Sequence, residues 1–281
     1  MRDVKKIIRE FSVLSFFLVL GFLLLFSSGL PGNAGARTTA HSLCHLGHTS
    51  DVLIPWNCRR LLKGETLEGL FGNRWEDVAR FNRIDRRHVY PGIYLKIPKQ
   101  IDDIRDYTPM PRRYEMAGSE EKFVLIDLSE QFLGAYEYGQ LIFSAPIATG
   151  KKENTTPVGE FRITAYNRKH KSSLYSMENN DELYPMTYAL RFYIDRDGVG
   201  YWIHGRDLPG YPASHGCVGL YDETMQNAYY KYPEKPELDD ARILFEWVTS
   251  SFPDDGGYHT LQDGPRVLIV GQAPGTRPRS K

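Results

Sequence analysis

The apolar residues of this chain fall into three regimes of spacing. From Phe11 to Phe26 they are almost continuous, preceded by Arg2, Lys5, Lys6 and Arg9 and broken by Ser27-Ser28-Gly29-Leu30-Pro31-Gly32. This is the layout of a secretory signal or an uncleaved membrane anchor over residues 1–36. Ala34-Gly35-Ala36 offers a cleavage site, and the basic end is retained inside. Residues 37–51 are polar and read as a tether.

From residue 52 to 99 strand and helix spacings alternate. Trp56 to Leu62 reads as a short strand. Gly64-Glu65-Thr66-Leu67 reads as a turn and helix start, with Thr66 as N-cap and Leu67, Leu70 and Phe71 following at helical spacing. Trp75, Val78, Ala79 and Asn82 share one face of a second helix. Val89-Tyr90-Pro91-Gly92 is a turn, and Tyr94-Leu95-Lys96-Ile97-Pro98 a closing strand. The order predicts a small βααβ module. Residues 100–120 carry charges and prolines, as in Tyr107-Thr108-Pro109-Met110-Pro111-Arg112-Arg113, and read as a partly extended linker.

From residue 121 to 271 the pattern is one short strand after another. Phe123 to Leu128, Phe132 to Tyr138, Leu141 to Gly150, Gly159 to Thr164 and Ala189 to Tyr193 are separated by turn residues, and Arg266 to Val270 closes the series. This predicts a mainly β region, a sheet pair or barrel. One late helix is expected over Asp239 to Ser250, with Ala241, Leu244, Phe245 and Val248 at core spacing. Residues 167–188, with Lys169, His170, Lys171, Tyr175, Met177, Tyr184 and Met186, read as a long insertion between strands, either a lid or substrate-facing loop or a solvated excursion. Residues 272–281 read as a disordered tail.

Charge narrows the function classes. The 281 residues hold 35 Lys plus Arg and 35 Asp plus Glu, without the basic excess of a nucleic-acid binder. Export alters the meaning of the three cysteines, Cys44, Cys58 and Cys217. Cys44 and Cys58 are the candidate disulfide, which leaves Cys217 as a free thiol. His41, Cys44, His45, His48 and Cys58 also form a cluster of metal-ligand types, but their spacing fits no zinc pattern well.

Cys217 is the candidate nucleophile. It stands in Ala213-Ser214-His215-Gly216-Cys217-Val218-Gly219-Leu220, downstream of Tyr201-Trp202-Ile203-His204-Gly205. A thiol needs a base to take its proton and backbone N–H groups to hold an oxyanion. His204, at the end of a strand-like run, is the expected base, leaving a thiolate–imidazolium pair. His215 is the orienting or substrate-side partner. The amides around Gly216 and Cys217 are the expected oxyanion donors.

Two resemblances follow from these residues. Gly64-Glu65-Thr66-Leu67, Asn82, Pro91-Gly92 and Leu95-Lys96-Ile97-Pro98 resemble LysM, the family that binds N-acetylglucosamine-containing glycans. His204-Gly205 with Ser214-His215-Gly216-Cys217, and Thr149-Gly150 with Thr156-Pro157-Val158-Gly159-Glu160-Phe161, resemble the L,D-transpeptidase (YkuD) catalytic domain from about Phe123 to Gly271. That resemblance implies a β-sandwich-like fold, and the N-terminal segment implies an exported protein of the periplasm or cell envelope. It implies a cysteine that attacks the bond between residues three and four of a peptidoglycan tetrapeptide stem. The acyl group would pass through a thioester to an amine, giving a 3→3 cross-link or an attached protein, with neither cofactor nor metal. Membrane contact would be limited to the N-terminal segment.

The site residues implied are Cys217, His204, His215, Gly216 and Ser214 for catalysis, with Arg206, Gly205, Tyr188 and Arg191 for substrate binding. The sequence departs from the family pattern twice. Gly219 stands where Arg or Asn is usual, and Arg206 where Thr or Ser is frequent. Two other readings compete: an L,D-carboxypeptidase on the same scaffold, and a wall-binding protein whose catalytic domain has decayed.

Overall fold

The computed structural model describes residues 42–177 and 181–275. The signal or anchor expectation for residues 1–36, and the end of the expected tail, 276–281, lie outside them. Among the described residues no helix is long and apolar enough to cross a membrane.

The N-terminal module is built on two antiparallel strands, β1 (Trp56–Arg60) and β2 (Tyr94–Pro98). Between them lie α1 (Leu67–Phe71) and α2 (Trp75–Asn82). Thr66 caps α1, its hydroxyl accepting from the Gly69 N–H at 3.1 Å, as its residue type predicts. Asn82 pins α2 to β2. Its side-chain amide donates to the carbonyls of Val78 and Lys96 and accepts from the Lys96 N–H, at 2.8–2.9 Å.

Residues 42–51 are not a tether. Leu43 and Leu46 are buried in the module's apolar cluster. Cys44 is disulfide-bonded to Cys58 of β1. Asp51 pairs with the buried Lys96 and Arg83. Residues 100–120 are not a free linker either. They carry short 3-10 turns at Ile101–Ile104 and Glu115–Ala117 and bury Ile104, Met110 and Ala117.

The remainder is mainly β, in two five-stranded sheets. One is ordered β5-β4-β3-β12-β6, from β3 (Phe123–Asp127), β4 (Phe132–Glu137), β5 (Gln140–Pro146), β6 (Gly159–Arg162) and β12 (Arg266–Val270). The other is ordered β10-β9-β8-β7-β11, from β7 (Ala165–Ser176), β8 (Leu183–Ile194), β9 (Gly200–Gly205), β10 (Val218–Leu220) and β11 (Tyr258–Thr260). Val124, Ile126 and Leu133 of the first sheet share one core with Leu190, Phe192, Ile203 and Val218 of the second. The β-sandwich-like expectation holds in that sense.

Two elements differ from expectation. The stretch 167–188 is no loop: most of it forms the antiparallel hairpin β7–β8. The late helix α4 (Asp240–Thr249) is joined by another, α3 (Glu223–Tyr230). The buried side of α3 includes Glu223 and Gln226, so apolar spacing could not announce it.

The two regions share packing. Ala148, Leu208, Tyr221 and Leu238 lie in the same apolar cluster as Leu43, Val78 and Phe81 of the module. The segment after β9 is held directly. The Asp85 N–H donates to the Leu208 carbonyl at 2.8 Å, and the Leu208 N–H returns to the Asp85 carboxylate at 2.6 Å.

Candidate active site

Cys217 stands one residue before β10, which pairs in parallel with β9 in the register Val218↔Ile203 and Gly219↔His204. Continued back by one residue, this register sets Cys217 beside Trp202. Side chains alternate along a strand, so Cys217, Gly219, Trp202 and His204 share one face. Cys217 and His204 accordingly line one cleft of about 390 Å³, together with His215, Ser214, Arg206 and Tyr184. A second cleft of about 260 Å³ also opens on Cys217 and His215, and is walled by Tyr201, Trp202, His170 and Gly198. The thiol therefore stands between two cavities.

The tautomer of His204 follows from its partner. Its Nδ1 lies 2.8 Å from the Gly205 carbonyl oxygen, and a carbonyl only accepts. Nδ1 therefore carries the hydrogen, and Nε2 is left bare as a proton acceptor. Burial, then the charges of Arg206 and His170, push the His204 pKa down to about 3. The imidazole is neutral at rest.

Burial also raises the Cys217 thiol, while a backbone contact with Trp202 and the Arg206 charge pull the other way. Both partners are thus uncharged before substrate arrives. Burial thus works against a thiolate–imidazolium pair in the resting site.

The loop before Cys217 is braced from several sides. The Ser214 hydroxyl accepts from the Gly216 N–H at 3.0 Å and donates to the Cys217 carbonyl at 2.6 Å. The Gly216 amide is therefore committed, a correction to its expected place in the oxyanion hole. Gly216 itself has φ +113°, and a Cβ there would meet the Tyr201 ring at 2.4 Å. Both facts require glycine.

Thr156 donates to the Gly216 carbonyl and accepts from the Gly150 N–H, each at 2.9 Å. Thr149 offers its carbonyl to the amides of Ala213 and Ser214. The Thr149-Gly150 and Thr156 signature is thus the brace of the Cys217 loop, a role that sequence reasoning left unassigned.

The other expected residues disperse. His215 is exposed and stacks on Tyr175 of β7, ring centroids 4.2 Å apart. The β7–β8 hairpin therefore reaches the cleft, and Tyr175 and Met186 line both cavities. The expectation that residues 167–188 face the substrate holds for these two, although strands present them rather than a loop.

Gly205 is buried rather than facing substrate. A Cβ there would meet the Asp222 carboxylate at 2.3 Å and the Thr187 hydroxyl at 2.6 Å. Tyr188 and Arg191, expected at the substrate, line neither cavity. Tyr188 packs on Phe245 and Arg168. Arg191 is held by Thr164 and by the Tyr258 hydroxyl. Among the described residues no group of three or more His, Cys, Asp or Glu is placed to hold a metal.

No curated protein matches the chain. Solved structures similar to it include an L,D-transpeptidase from Xylanimonas cellulosilytica, at 23% identity over 77% of this chain and 97% of that one, TM-score 0.41. Another comes from Stackebrandtia nassauensis, at 22% identity over 72% and 81%, TM-score 0.41. A third is Mycobacterium tuberculosis L,D-transpeptidase 1, at 17% identity over 53% of this chain, TM-score 0.35; the chain spans 62% of that protein's length. The family model described as the L,D-transpeptidase catalytic domain, YkuD, matches residues 121–269, more than half of the 281 present. By that match the chain belongs to the YkuD family of L,D-transpeptidase enzymes.

Proposed function

We propose that this protein is an exported peptidoglycan L,D-transpeptidase with Cys217 as nucleophile and His204 as base. The observation that carries the reading is that a bare, buried imidazole nitrogen and a free thiol line one cleft. The donor stem occupies one cavity and the acceptor amine arrives through the other.

In the first half-reaction the Cys217 Sγ attacks the carbonyl carbon of stem residue three. His204 Nε2 takes the thiol proton as the C–S bond forms, so charge appears only with the transition state. The Cys217 N–H is the amide assigned to the oxyanion, since Ser214 occupies that of Gly216. Collapse breaks the C–N bond to residue four. His204 returns the proton to that nitrogen, and a free amino acid leaves.

In the second half-reaction an amine attacks the thioester, His204 accepts its proton, and the thiol is regenerated. The product is a 3→3 cross-link or an attached protein. Water in place of the amine would make the same site an L,D-carboxypeptidase. The βααβ module is assigned the docking of glycan strands, on its LysM-like residues.

Purified protein incubated with tetrapeptide muropeptides tests the reading. Dimers are expected from the native protein and none from Cys217→Ala. Tripeptides alone would mean hydrolysis. Unchanged tetrapeptide from folded protein would overturn the enzymatic reading and leave a wall-binding protein.

A further inference from the structure

Gly219 and Arg206 occupy one volume. A Cβ at Gly219 would lie 1.9 Å from both Cγ and Cδ of Arg206 and 3.2 Å from its Nε. The Arg206 side chain thus lies flat across the one position of β10 that has no side chain. Gly219 cannot move aside, because it exchanges both backbone bonds with Ala148, at 2.9 and 3.0 Å, while pairing with His204 on its other flank. Being two residues from Cys217 on the same face, it aims the arginine at the thiol's cavity.

Arg206 has no carboxylate partner among the described residues. The one side-chain hydrogen bond it makes among the described residues is from Nε to the Asp207 carbonyl at 3.2 Å. The neighbouring Asp207 carboxylate is already taken by Arg87 at 2.7 Å and by Gln226 at 2.9 Å. Arg206 lines the Cys217 cleft and also an adjoining cleft of about 540 Å³, where Lys151 stands with Arg87, His88 and Glu153. Lys151 is half-buried and likewise has no ion-pair partner among the described residues. The charges of both cations are felt at His215. Two cations without an ion-pair partner among the described residues thus share a cleft whose carboxylates are Glu153 and the already engaged Asp207. A guanidinium suits a planar carboxylate, which it can bind with two parallel bonds.

We propose that Arg206, laid over Gly219, and Lys151 form a clamp for a free carboxylate of the peptide substrate at the mouth of the Cys217 cleft. Gly219 is then a positioning residue: its bare backbone is the bed on which the arginine lies. The proposal rests on the transpeptidase reading for the identity of the peptide, and on geometry for the clamp.

Binding to the turnover-dead Cys217→Ala protein tests the clamp apart from the chemistry. The probes are a free stem tetrapeptide and the same peptide with its carboxylates amidated, titrated calorimetrically. The free acid is expected to bind more tightly. Arg206→Gln and Lys151→Gln should each weaken the acid roughly tenfold or more, and the amide little, as for loss of a hydrogen bond to a charged group.

Exchanging the two side chains, Arg206→Ser with Gly219→Arg, should recover part of the acid preference. Gly219→Arg alone should not, since two side chains would claim one volume. Equal binding of acid and amide, or equal weakening of both by Arg206→Gln in protein that melts like the parent, would overturn the clamp. Failure of the native protein to turn over tetrapeptide while the acid preference persists would sink the transpeptidase reading and leave the clamp standing.

Discussion

Arg80 and Asp240 stand 160 positions apart and meet through two hydrogen bonds of 2.8 Å, one from each terminal guanidinium nitrogen. Arg80 belongs to α2 of the βααβ module, and Asp240 opens α4 behind the catalytic sheets. Asp240 is fully buried, and burial alone would raise its pKa; Arg80 opposes that. The ion pair therefore joins two regions through a charge that has no other way to be tolerated.

Arg80→Ala is expected to cost about 3–5 kcal/mol, because it strands a buried carboxylate. Arg80→Ala with Asp240→Ala should cost much less than the sum of the single changes. Urea unfolding of the four proteins of the cycle measures this, and additive losses would show the pair to be independent.

Residues 121–275 produced alone should not fold as the intact chain does. The cut exposes Ala148, Leu208, Tyr221 and Leu238 and removes the Asp85 contacts with Leu208. Asp85→Ala should cost at least about 1–3 kcal/mol, since it leaves the Leu208 amide, the Gln226 side-chain amide and His88 without their carboxylate partner. Dye binding to exposed apolar surface and thermal melts report both, and a native-like melt of the fragment would contradict the shared core.

Gly216→Ala is expected to destabilise by about 1–3 kcal/mol through backbone strain alone. Displacement of the Tyr201 ring from the cleft wall comes on top of that. Turnover and Cys217 alkylation should fall together. Ser214→Ala, which removes the bonds to the Gly216 N–H and the Cys217 carbonyl, should act in the same direction with φ unchanged.

The resting thiol and imidazole are both neutral, so alkylation of Cys217 by iodoacetamide should show no plateau near neutral pH. The rate should keep climbing above pH 9, because burial raises the thiol and the thiolate is the reactive form. A rate already flat between about pH 6 and 8, as a standing ion pair would give, would refute this.

Asp222 carries a second pH signature. Burial raises its pKa to about 6 from the ordinary 3.8, against bonds from Thr187 and the Met225 N–H. The folded state thus holds a proton that the unfolded chain has released. The sign follows: this contribution to stability is present below about pH 4, declines as pH rises to about 6, and is flat beyond. Asp222→Asn should remove that decline, worth at most about 3 kcal/mol. Comparing melts of the two proteins from pH 4 to pH 7, a range of about three units, reads the difference.

What was legible in the chain depended on whether burial followed one apolar period. Phe123–Asp127 read as a strand because both faces are covered: Val124 and Ile126 by the sandwich core, Phe123 and Leu125 by Met110 and Ala117. The same cover was illegible in residues 100–120, where prolines and charges surround the few buried side chains. The β7–β8 hairpin escaped notice because most of residues 169–176 stay at least partly exposed, so no apolar alternation is written there. Helix α3 escaped because it buries Glu223 against Arg86 and Gln226 against Asp85 and Asp207.

By itself the sequence determined what is local. It supplied the Thr66 cap, the glycine that the turn before Cys217 demands, the strand runs, and a histidine and a cysteine in one family signature. Tertiary structure alone decided their chemical state. Whether His204 is charged depends on its burial and on Arg206, and whether the Gly216 amide is free depends on the Ser214 rotamer. Which position carries the cation beside the thiol depends on a side chain from β9's end crossing a bare glycine of β10. Those are matters of desolvation and shared volume, which arise only when distant segments exclude water together.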